Sequence, residues 1–452
     1  GVSGHTVEPR LGILRSGRRR DSKMQMSLGT RGSIAPSSGT RHSASCPVQI
    51  NFSASCSQTL PPSQFGSRQQ QQQQLVCSLA RRAEDALESL DDGPSGQPVG
   101  VKPPPMPRST LRLGLPSKGR MAEDTIALLK DSALSVYKPN PRQYVASIPQ
   151  IPGVEVWFQR ATDVVRKLRY GDIDLGIVGA DMYAELADGD SDLIVCHEAL
   201  NFGQCKLALG VPMTGKFAAI DTLDQLKAMP NWSAATPMRV VTGYHNIARR
   251  FFKDNGFANV VLLSADGALE AAPAMGSADI ILDLVSTGVT LRENNLKLLK
   301  GGDVLQSEGI LVANKNSLMN RPGLLKVVHE LIERFDAHLK AEQFYSVIVN
   351  MRGDSPEAVA DLLLQAPSLK GLEGPTISSV YGMPENGSTL KLSLYAATIC
   401  VEKKQLYAAV KTLQKLGGSG VLVLPMTYIF DEEPQRWRQL LQTLNLNEKD
   451  VL

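Results

Sequence analysis

The stretch that most constrains this chain runs from Asp266 to Leu291 and reads DGALEAAPAMGSADIILDLVSTGVTL. Residues 267–277 are small and Ala-rich, which predicts a short helix. Residues 279–285 form an apolar run broken by Asp283, a pattern typical of a strand buried in a parallel sheet. A turn rich in hydroxyls and glycine follows it, and the polar segment LRENNLKLLK then predicts a helix.

A strand, a turn of this composition and a helix together form an arrangement that binds phosphate. The turn supplies backbone N–H groups, the hydroxyls add donors, and the helix N-terminus adds positive potential. The predicted phosphate turn consists of Ser286, Thr287, Gly288, Val289 and Thr290. Asp283, at the end of the strand, is placed to bind ribose hydroxyls or a Mg²⁺ ion. The alternative is an ordinary capped helix start, since Ser and Thr are common N-caps.

The order and spacing of residues in this stretch resemble the motif of the ATP phosphoribosyltransferase family. The residues that carry the resemblance are Glu270, Gly276, Ala278, Ile281, Asp283, Leu284, Thr287, Gly288, Thr290 and Leu291. The resemblance implies a glycosyltransferase of the pentosyltransferase class that performs the first step of histidine biosynthesis. In that reaction N1 of ATP attacks C1 of phosphoribosyl pyrophosphate, and pyrophosphate leaves. The resemblance also implies Mg²⁺ as the cofactor.

Charge is distributed unevenly along the chain. Residues 1–82 hold eleven Lys and Arg but only two acids, whereas from residue 83 onward 43 acids outnumber 37 Lys and Arg. A basic, Ser-rich, acid-poor N-terminus predicts an organelle transit peptide, with a generic disordered tail as the alternative. The resemblance favours the chloroplast over the mitochondrion, because plants and algae make histidine in plastids.

Cysteine spacing and hydropathy exclude several classes of protein. No run of eighteen apolar residues is present, so no transmembrane helix is expected. The six cysteines contain no CxxC pair, which predicts free thiols without a disulfide framework or a zinc site.

Alternating strand and helix patterns predict an α/β fold with several domains. The resemblance adds two doubly wound lobes like those of bilobal periplasmic binding proteins. The predicted organisation is a disordered transit peptide and linker at 1–108, a first catalytic lobe at 109–206 and 292–344, a second lobe that binds phosphoribosyl pyrophosphate at 207–291, a regulatory domain at 345–430 and a tail of unassigned role at 431–452.

A second predicted anion site lies at the start of the first lobe. The strand LRLGLP is followed by Ser117, Lys118, Gly119 and Arg120 and then by a helical pattern. The alternative is a solvated turn, and the resemblance favours nucleotide contact. Further candidates for binding the two polyanionic substrates are the cations Arg160 and Lys206. Glu270 is, with Asp283, a candidate carboxylate for the ribose or Mg²⁺ side of the site.

The C-terminal region reads β-α-β-β-α-β, the order of a ferredoxin-like domain. The long form of the family carries such a domain and binds histidine there as an inhibitor. The resemblance places that site at a turn containing Leu372, Gly374 and Thr376, although a tight connection through Gly374-Pro375 is the alternative. It also implies homo-oligomers, either dimers or hexamers, and no nucleic-acid or membrane partner.

Isolated polar residues are interpreted structurally. His197, His245 and His329 share no metal-ligand spacing, and Asp174 and Asp181 are interpreted as strand-end and cap residues. Two rival functions remain open: a bilobal small-molecule sensor and a pseudo-enzyme that only senses histidine. Neither rival requires the phosphate motif at Asp283–Leu291.

Overall fold

The structure is a computed structural model that describes residues 108–187, 189–230, 232–265, 267–382, 391–447 and 449, with only the backbone described at 391–393. These residues lie within one compact unit, Gly100–Leu452. The predicted transit peptide and linker, except for Arg108, and the end of the predicted tail lie outside the described residues. Within those residues, no helix combines the length and apolarity needed to cross a bilayer.

Three sheets organise the described chain. The strands, in chain order, are β1 (Leu111–Pro116), β2 (Val145–Ser147), β3 (Val154–Gln159), β4 (Leu175–Gly179), β5 (Leu193–His197), β6 (Cys205–Pro212), β7 (Met238–Thr242), β8 (Val260–Ser264), β9 (Ile280–Val285), β10 (Leu296–Ser307), β11 (Gly309–Asn314), β12 (Phe344–Met351), β13 (Thr376–Gly382), β14 (Lys391–Glu402) and β15 (Ser419–Pro425). The α-helices are α1 (Arg120–Asp131), α2 (Ala161–Tyr170), α3 (Ala180–Ala187), α4 (Leu223–Lys227), α5 (His245–Asp254), α6 (Val289–Glu293), α7 (Lys315–Asn320), α8 (Leu324–Ala341), α9 (Pro356–Leu364), α10 (Leu406–Lys415) and α11 (Gln435–Leu444).

The first lobe is built on a six-stranded sheet with the order β2-β3-β1-β4-β11-β5. β1 runs parallel to β3 and β4, whereas β11 is antiparallel to both of its neighbours. Helices α1, α8 and α11 cover one face of the sheet, and α2 and α3 cover the other. This two-sided cover explains why β4, LGIVG, is apolar and buried along its whole length.

The second lobe is built on a five-stranded sheet with the order β10-β6-β9-β7-β8. β7 is parallel to β8 and β9, but β6 is antiparallel to both β9 and β10. Both lobes are thus doubly wound, as predicted, and each sheet contains three parallel neighbours: β3, β1 and β4 in the first, and β9, β7 and β8 in the second. Antiparallel pairs also occur, at β2 and at β6, β10 and β11, and the last three strands flank the segments that carry the chain between the lobes.

The boundary of the second lobe differs from the prediction. A helix was expected over 291–300, but α6 ends at Glu293 and Asn295 adopts a left-handed φ of 58°. Asn tolerates that conformation and ends the helix. β10 then pairs with β6 in the second sheet, so the chain returns to the first lobe at Glu308 instead of residue 292.

The short helix expected over 267–277 is only a 3₁₀ turn, Leu269–Ala271, followed by further turns. Pro273 explains the difference, because proline lacks the backbone N–H that would continue the helix and disfavours helical backbone in the residue before it.

The C-terminal domain has the predicted β-α-β-β-α-β order and is ferredoxin-like. Its sheet has the order β13-β14-β12-β15, with all neighbouring strands antiparallel. Helices α9 and α10 pack on one face through Val359, Leu363 and Leu413.

The tail forms a helix that returns to the first lobe. The side chain of Trp437 on α11 is fully buried in the first lobe's core, together with Leu441 and Phe335 of α8. Before α11, the backbone N–H of Ile429 donates to the carbonyl of Ala337 at 3.0 Å. The tail is therefore a structural part of the first lobe.

We predict that Trp437→Ala lowers the free energy of unfolding by about 3–5 kcal/mol, because it empties a buried aromatic site. Chemical denaturation of the full chain checks this. Gln439→Ala, at an exposed position of the same helix, is the matched control and is expected to stay within about 0.5 kcal/mol of the parent. Equal midpoints for the two variants would contradict the packing of α11 on the lobe.

Candidate active site

Three predicted cations lie at one edge of the first sheet. Lys118 and Arg120 are exposed in the turn after β1, and Arg160 is exposed directly after β3. β1 and β3 are parallel neighbours in register from Leu111–Val154 to Pro116–Gln159, so these turns meet at the carboxyl ends of both strands. That edge is where open α/β sheets bind ligands.

The turn after β1 is shaped by a glycine and held at its base. Gly119 has φ 76°, a left-handed conformation, and is the N-cap residue of α1. The N–H of Ser117 donates to the carbonyl of Gln159 at 2.8 Å. Lys118 and Arg120 consequently project from a turn with a fixed base.

The segment between the lobes packs against the start of α1. A β-carbon on Gly203 would lie 2.6 Å from the sulfur of Met121, so only glycine fits there without a shift. The next residue, Gln204, lines a cavity between the lobes. The turn after β1 is thus close to the rim of that cavity.

The predicted phosphate turn follows β9 as expected. Ser286, Thr287 and Thr290 are exposed, and Gly288 is the N-cap residue of α6 with φ 70°. A β-carbon on Gly288 would meet only Val285 Cγ1, at 3.8 Å. Glycine is therefore required here for its backbone conformation, since space beside it is open.

Asp283 is a half-buried carboxylate without a counter-charge. Burial raises its pKa, and the negative charge of Glu270 raises it further, against a hydrogen bond from the N–H of Leu284 at 2.7 Å. No described residue forms an ion pair with it. A ligand that brings a cation or hydroxyl donors to this carboxylate would stabilise its ionised form.

Asp279, at the other end of the same strand, has the opposite environment. Burial raises its pKa, but hydrogen bonds from Arg239 and Lys216 outweigh burial and bring the pKa below its ordinary value. Two acids four residues apart are therefore held in contrasting ways: Asp279 is a structural ion pair and Asp283 is unpaired.

A cavity of about 490 Å³ lies where the chain crosses between the lobes. Its lining residues are Ala180, Glu198, Gln204, Cys205, Lys206, Val285, Ser286, Gln306, Ser307 and Glu308. Of the predicted site residues, only Lys206 and Ser286 line it, and they are brought together because Lys206 pairs with Val285 across β6 and β9. Lys206 also forms an ion pair with Asp303 at 2.8 Å.

The remaining lining residues were missed by sequence reasoning. They lie at strand ends and in the two crossing segments, about a hundred positions apart in the chain. The motif FGQCKL carries the one available signal, because it marks the crossing that contains Gln204 and Cys205.

Asp181 is more than a helix cap. Its carboxylate accepts a hydrogen bond from the hydroxyl of Ser307 at 2.6 Å and another from the hydroxyl of Tyr244 at 2.8 Å, so it binds two residues of the second lobe. Burial, with the charge of Asp181 and their hydrogen bond, raises the pKa of Tyr244. A β-carbon on Gly179 would lie 2.2 Å from this carboxylate, which explains the glycine at the end of β4.

Glu185, one turn further along α3, also binds the second lobe. Its carboxylate accepts from the N–H groups of Asn246 at 3.0 Å and Ile247 at 3.0 Å, in the first turn of α5. These N–H groups have no partner within their own helix, and a carboxylate is favoured there by the helix dipole.

The other isolated polar residues have structural partners. Asp174 is fully buried and forms ion pairs with Arg108 at 2.7 Å and Arg321 at 2.9 Å. His197 is buried 3.3 Å from Asp336, and His245 is the first residue of α5. The part of the chain that the structure describes contains no group of three His, Cys, Asp or Glu side chains able to hold a metal.

The predicted histidine turn leads into β13 of the C-terminal domain. Leu372 is exposed, Gly374 has φ 126°, and Thr376 is the first residue of the strand, opposite Thr398. The backbone at Gly374 therefore requires glycine, which is expected both for a histidine-binding turn and for a tight connection.

Comparisons with known proteins give a consistent result. The family described as ATP phosphoribosyltransferase matches residues 160–337, and that described as HisG, C-terminal domain, matches residues 341–428. ATP phosphoribosyltransferase 1, chloroplastic, of Arabidopsis thaliana is 52% identical over 82% of this chain and 89% of its own length. ATP phosphoribosyltransferase 2, chloroplastic, of the same plant is 56% identical over 75% and 82%.

This chain belongs to the ATP phosphoribosyltransferase family. The resemblance in residues 266–291 is thereby confirmed, as is the pentosyltransferase class of enzyme. Among solved structures, the ATP phosphoribosyl transferase (HisG:HisZ) complex from Thermotoga maritima matches with 23% identity over 50% of this chain and 99% of that chain, at a TM-score of 0.40. Helix α11 lies beyond both family matches.

We predict opposite stability effects for the two acids of β9. Asp283→Asn raises the free energy of unfolding at neutral pH, because the folded-state pKa of Asp283 is raised and its charge is unfavourable there. The stability that protonated Asp283 supplies is present at acidic pH and lost as pH rises through that pKa.

Asp279→Asn is the matched control and lowers the free energy of unfolding by about 1–2 kcal/mol at neutral pH, since it removes hydrogen bonds from two cations. Its lowered pKa makes that stability disappear as pH falls. Denaturation curves of both variants and the parent, from neutral to acidic pH, measure these differences. Equal destabilisation by both changes would show that Asp283 has a stabilising partner.

Proposed function

We propose that this chain transfers the phosphoribosyl group of phosphoribosyl pyrophosphate to N1 of the adenine of ATP and releases pyrophosphate, the first step of histidine biosynthesis. The proposal rests on the phosphate turn after β9, which occurs here in a member of this family. Ser286 of that turn lines the cavity between the lobes, beside Lys206.

The reaction requires no covalent intermediate with the protein. The bond from C1 to the pyrophosphate oxygen breaks with its electron pair leaving on pyrophosphate, and N1 of adenine forms the new bond to C1. The protein's contribution is to position two polyanions and to stabilise the charge of the leaving group.

Each proposed role follows from position and charge. The turn Ser286–Thr290 binds the 5′-phosphate through its N–H groups and hydroxyls, and Asp283 with Glu270 binds the ribose hydroxyls. The exposed cations that we assign to the pyrophosphate and to ATP are Lys118, Arg120, Arg160 and Lys206, with Gly119 shaping the first turn.

Mg²⁺ fits this site through one pair of carboxylates. Asp283 has a raised pKa, lies near Glu270 and has no cation partner among the described residues, so a divalent ion would relieve its unfavourable charge. Bound there, Mg²⁺ would neutralise phosphate oxygens of the substrate, and oxygen atoms of the substrate would supply its remaining ligands.

Chloroplast import is proposed from two facts. The relatives from Arabidopsis thaliana are named chloroplastic, and residues 1–82 of this chain are basic and Ser-rich. The family context also supports a homo-oligomer, dimeric or hexameric.

An assay of product formation distinguishes the enzyme from the two alternative functions. Protein incubated with ATP, phosphoribosyl pyrophosphate and Mg²⁺ is expected to form phosphoribosyl-ATP, which is followed by its ultraviolet absorbance. A small-molecule sensor or a pseudo-enzyme would form no product, so absence of product would reject the proposed function.

In the same assay, Gly288→Val is expected to raise the KM for phosphoribosyl pyrophosphate by about tenfold or more, because a β-branched residue is strained at φ 70° and distorts the phosphate turn. Gly215→Val is the matched control: Gly215 has φ 65° and open space in the same lobe, outside the turn. If both variants keep the parent's KM, the 5′-phosphate binds elsewhere.

Histidine is proposed as a feedback inhibitor bound at the turn of Leu372, Gly374 and Thr376. Thr376→Ala is expected to raise the histidine concentration for half-inhibition about fivefold or more, within the usual range of allosteric coupling, while the KM values stay unchanged. Ser379→Ala, an exposed hydroxyl further along β13, serves as the control. If Thr376→Ala is inhibited by histidine as strongly as the parent, histidine binds elsewhere. If histidine does not inhibit the parent, the proposal of feedback inhibition is wrong.

A further inference from the structure

One side chain of the C-terminal helix binds a residue that lines the cavity between the lobes. Arg436, the second residue of α11, donates from Nε and one terminal nitrogen to both carboxylate oxygens of Glu198, at 2.7–3.1 Å. Its other terminal nitrogen donates to Asp336 of α8. This is a bidentate guanidinium–carboxylate pair with a second carboxylate bound behind it, a geometry that fixes orientation as well as charge.

Arg436 is held in place by its neighbours. Trp437 is fully buried beside it, and Leu440 and Leu441 anchor the rest of the helix in the first lobe's core. Asp336 also lies 3.3 Å from the buried ring of His197. The guanidinium therefore sits on a rigid base, although no charged partner of Arg436 belongs to its own helix.

Glu198 is a cavity residue whose charge opposes the substrates. It directly follows β5 and lines the cavity with Lys206 and Glu308, so the lining carries two carboxylates and one ammonium. That ammonium is already paired with Asp303. ATP and phosphoribosyl pyrophosphate are both polyanions, and an unpaired carboxylate at the cavity would repel them.

Glu198 is ionised at neutral pH, because its side chain is 63% exposed and Arg436 lowers its pKa further. Burial raises the pKa of Glu198, but the hydrogen bonds and charge of Arg436 outweigh burial and bring it below its ordinary value. The carboxylate cannot lose its charge by protonation near neutral pH, so neutralisation has to come from a cation. Arg436 is the cation that the structure places on it.

We propose that Arg436 is a positioning residue of the active site, which holds Glu198 against the lobe wall and offsets part of its charge so that the polyanionic substrates can enter the cavity. The inference rests on the proposed function and adds to it a role for the tail. The family match at the C-terminus ends at residue 428, ahead of Arg436.

The test uses the full chain and four variants: Arg436→Met, Glu198→Gln, the double variant, and Arg438→Met as the matched control. Arg438 lies two positions along the same helix and pairs with Glu433. Arg436→Met is expected to raise the KM for phosphoribosyl pyrophosphate about tenfold, with kcat within about threefold, because one uncompensated charge a few ångströms from a phosphate has that order of effect. The rise shrinks as salt is added.

The double variant decides between charge and structure. With Glu198 neutral, Arg436→Met is expected to return the KM to within about twofold of the parent, and Arg438→Met is expected to match the parent throughout. A purely structural role of Arg436 would leave the KM of the double variant as high as that of the single variant, which overturns the proposal. An unchanged KM in a folded Arg436→Met variant also overturns it.

Folding and function are controlled separately. Thermal unfolding checks each variant, and if Arg436→Met does not fold, Arg436→Gln replaces it, since an amide can still donate hydrogen bonds but lacks the charge. A parent that forms no phosphoribosyl-ATP rejects the proposed function and this inference with it. A parent that turns over, with KM values insensitive to Arg436, rejects the inference alone.

Discussion

The two carboxylates of α3 fix how the lobes sit against each other. Asp181 binds hydroxyls of the second lobe, and Glu185 binds the free N–H groups that begin α5. Hydrogen bonds to charged groups contribute about 1.5–3 kcal/mol each, and both side chains are buried. Every residue of the cavity between the lobes depends on this junction, because the lining comes from both sides of it. The site is therefore shaped by a contact that involves neither the turn after β1 nor the phosphate turn after β9.

The second lobe holds two acids in opposite environments, Asp279 just before β9 and Asp283 within it. Asp279 is satisfied by two cations, whereas Asp283 is left half-buried near Glu270. An unpaired, partly desolvated carboxylate costs stability in the empty protein. If substrate hydroxyls or a divalent ion bind there as proposed, they would remove that cost, and part of the binding energy would be prepared by the fold itself.

Local chemistry made much of the site predictable from the sequence. The strand, turn and helix around Gly288 follow from apolar runs, hydroxyls and glycine, and the ferredoxin-like order follows from clear alternation along the C-terminal region. What failed was long-range. β10 looked like the continuation of a helix because LRENNLKLLK is polar and Leu-rich, and only pairing with β6 makes it a strand. Asp181 looked like a cap because its partners, Tyr244 and Ser307, lie 63 and 126 positions away. The tail carried no motif, and its role depends on packing that one sequence does not display.

The return of the tail changes how the ferredoxin-like domain is attached to the first lobe. Since α8 leaves the first lobe and α11 comes back to it, the ferredoxin-like domain is an insertion within the catalytic lobe, tethered at both of its ends. The hydrogen bond from Ile429 to Ala337 and the ion pair of Lys340 with Asp431 bring those two ends side by side. The domain is therefore attached to the first lobe at a single place, through two chain segments that lie side by side. Removing it cleanly means joining residue 341 to residue 431 by a short linker, because a stop after α8 would also strip Trp437 from the catalytic core.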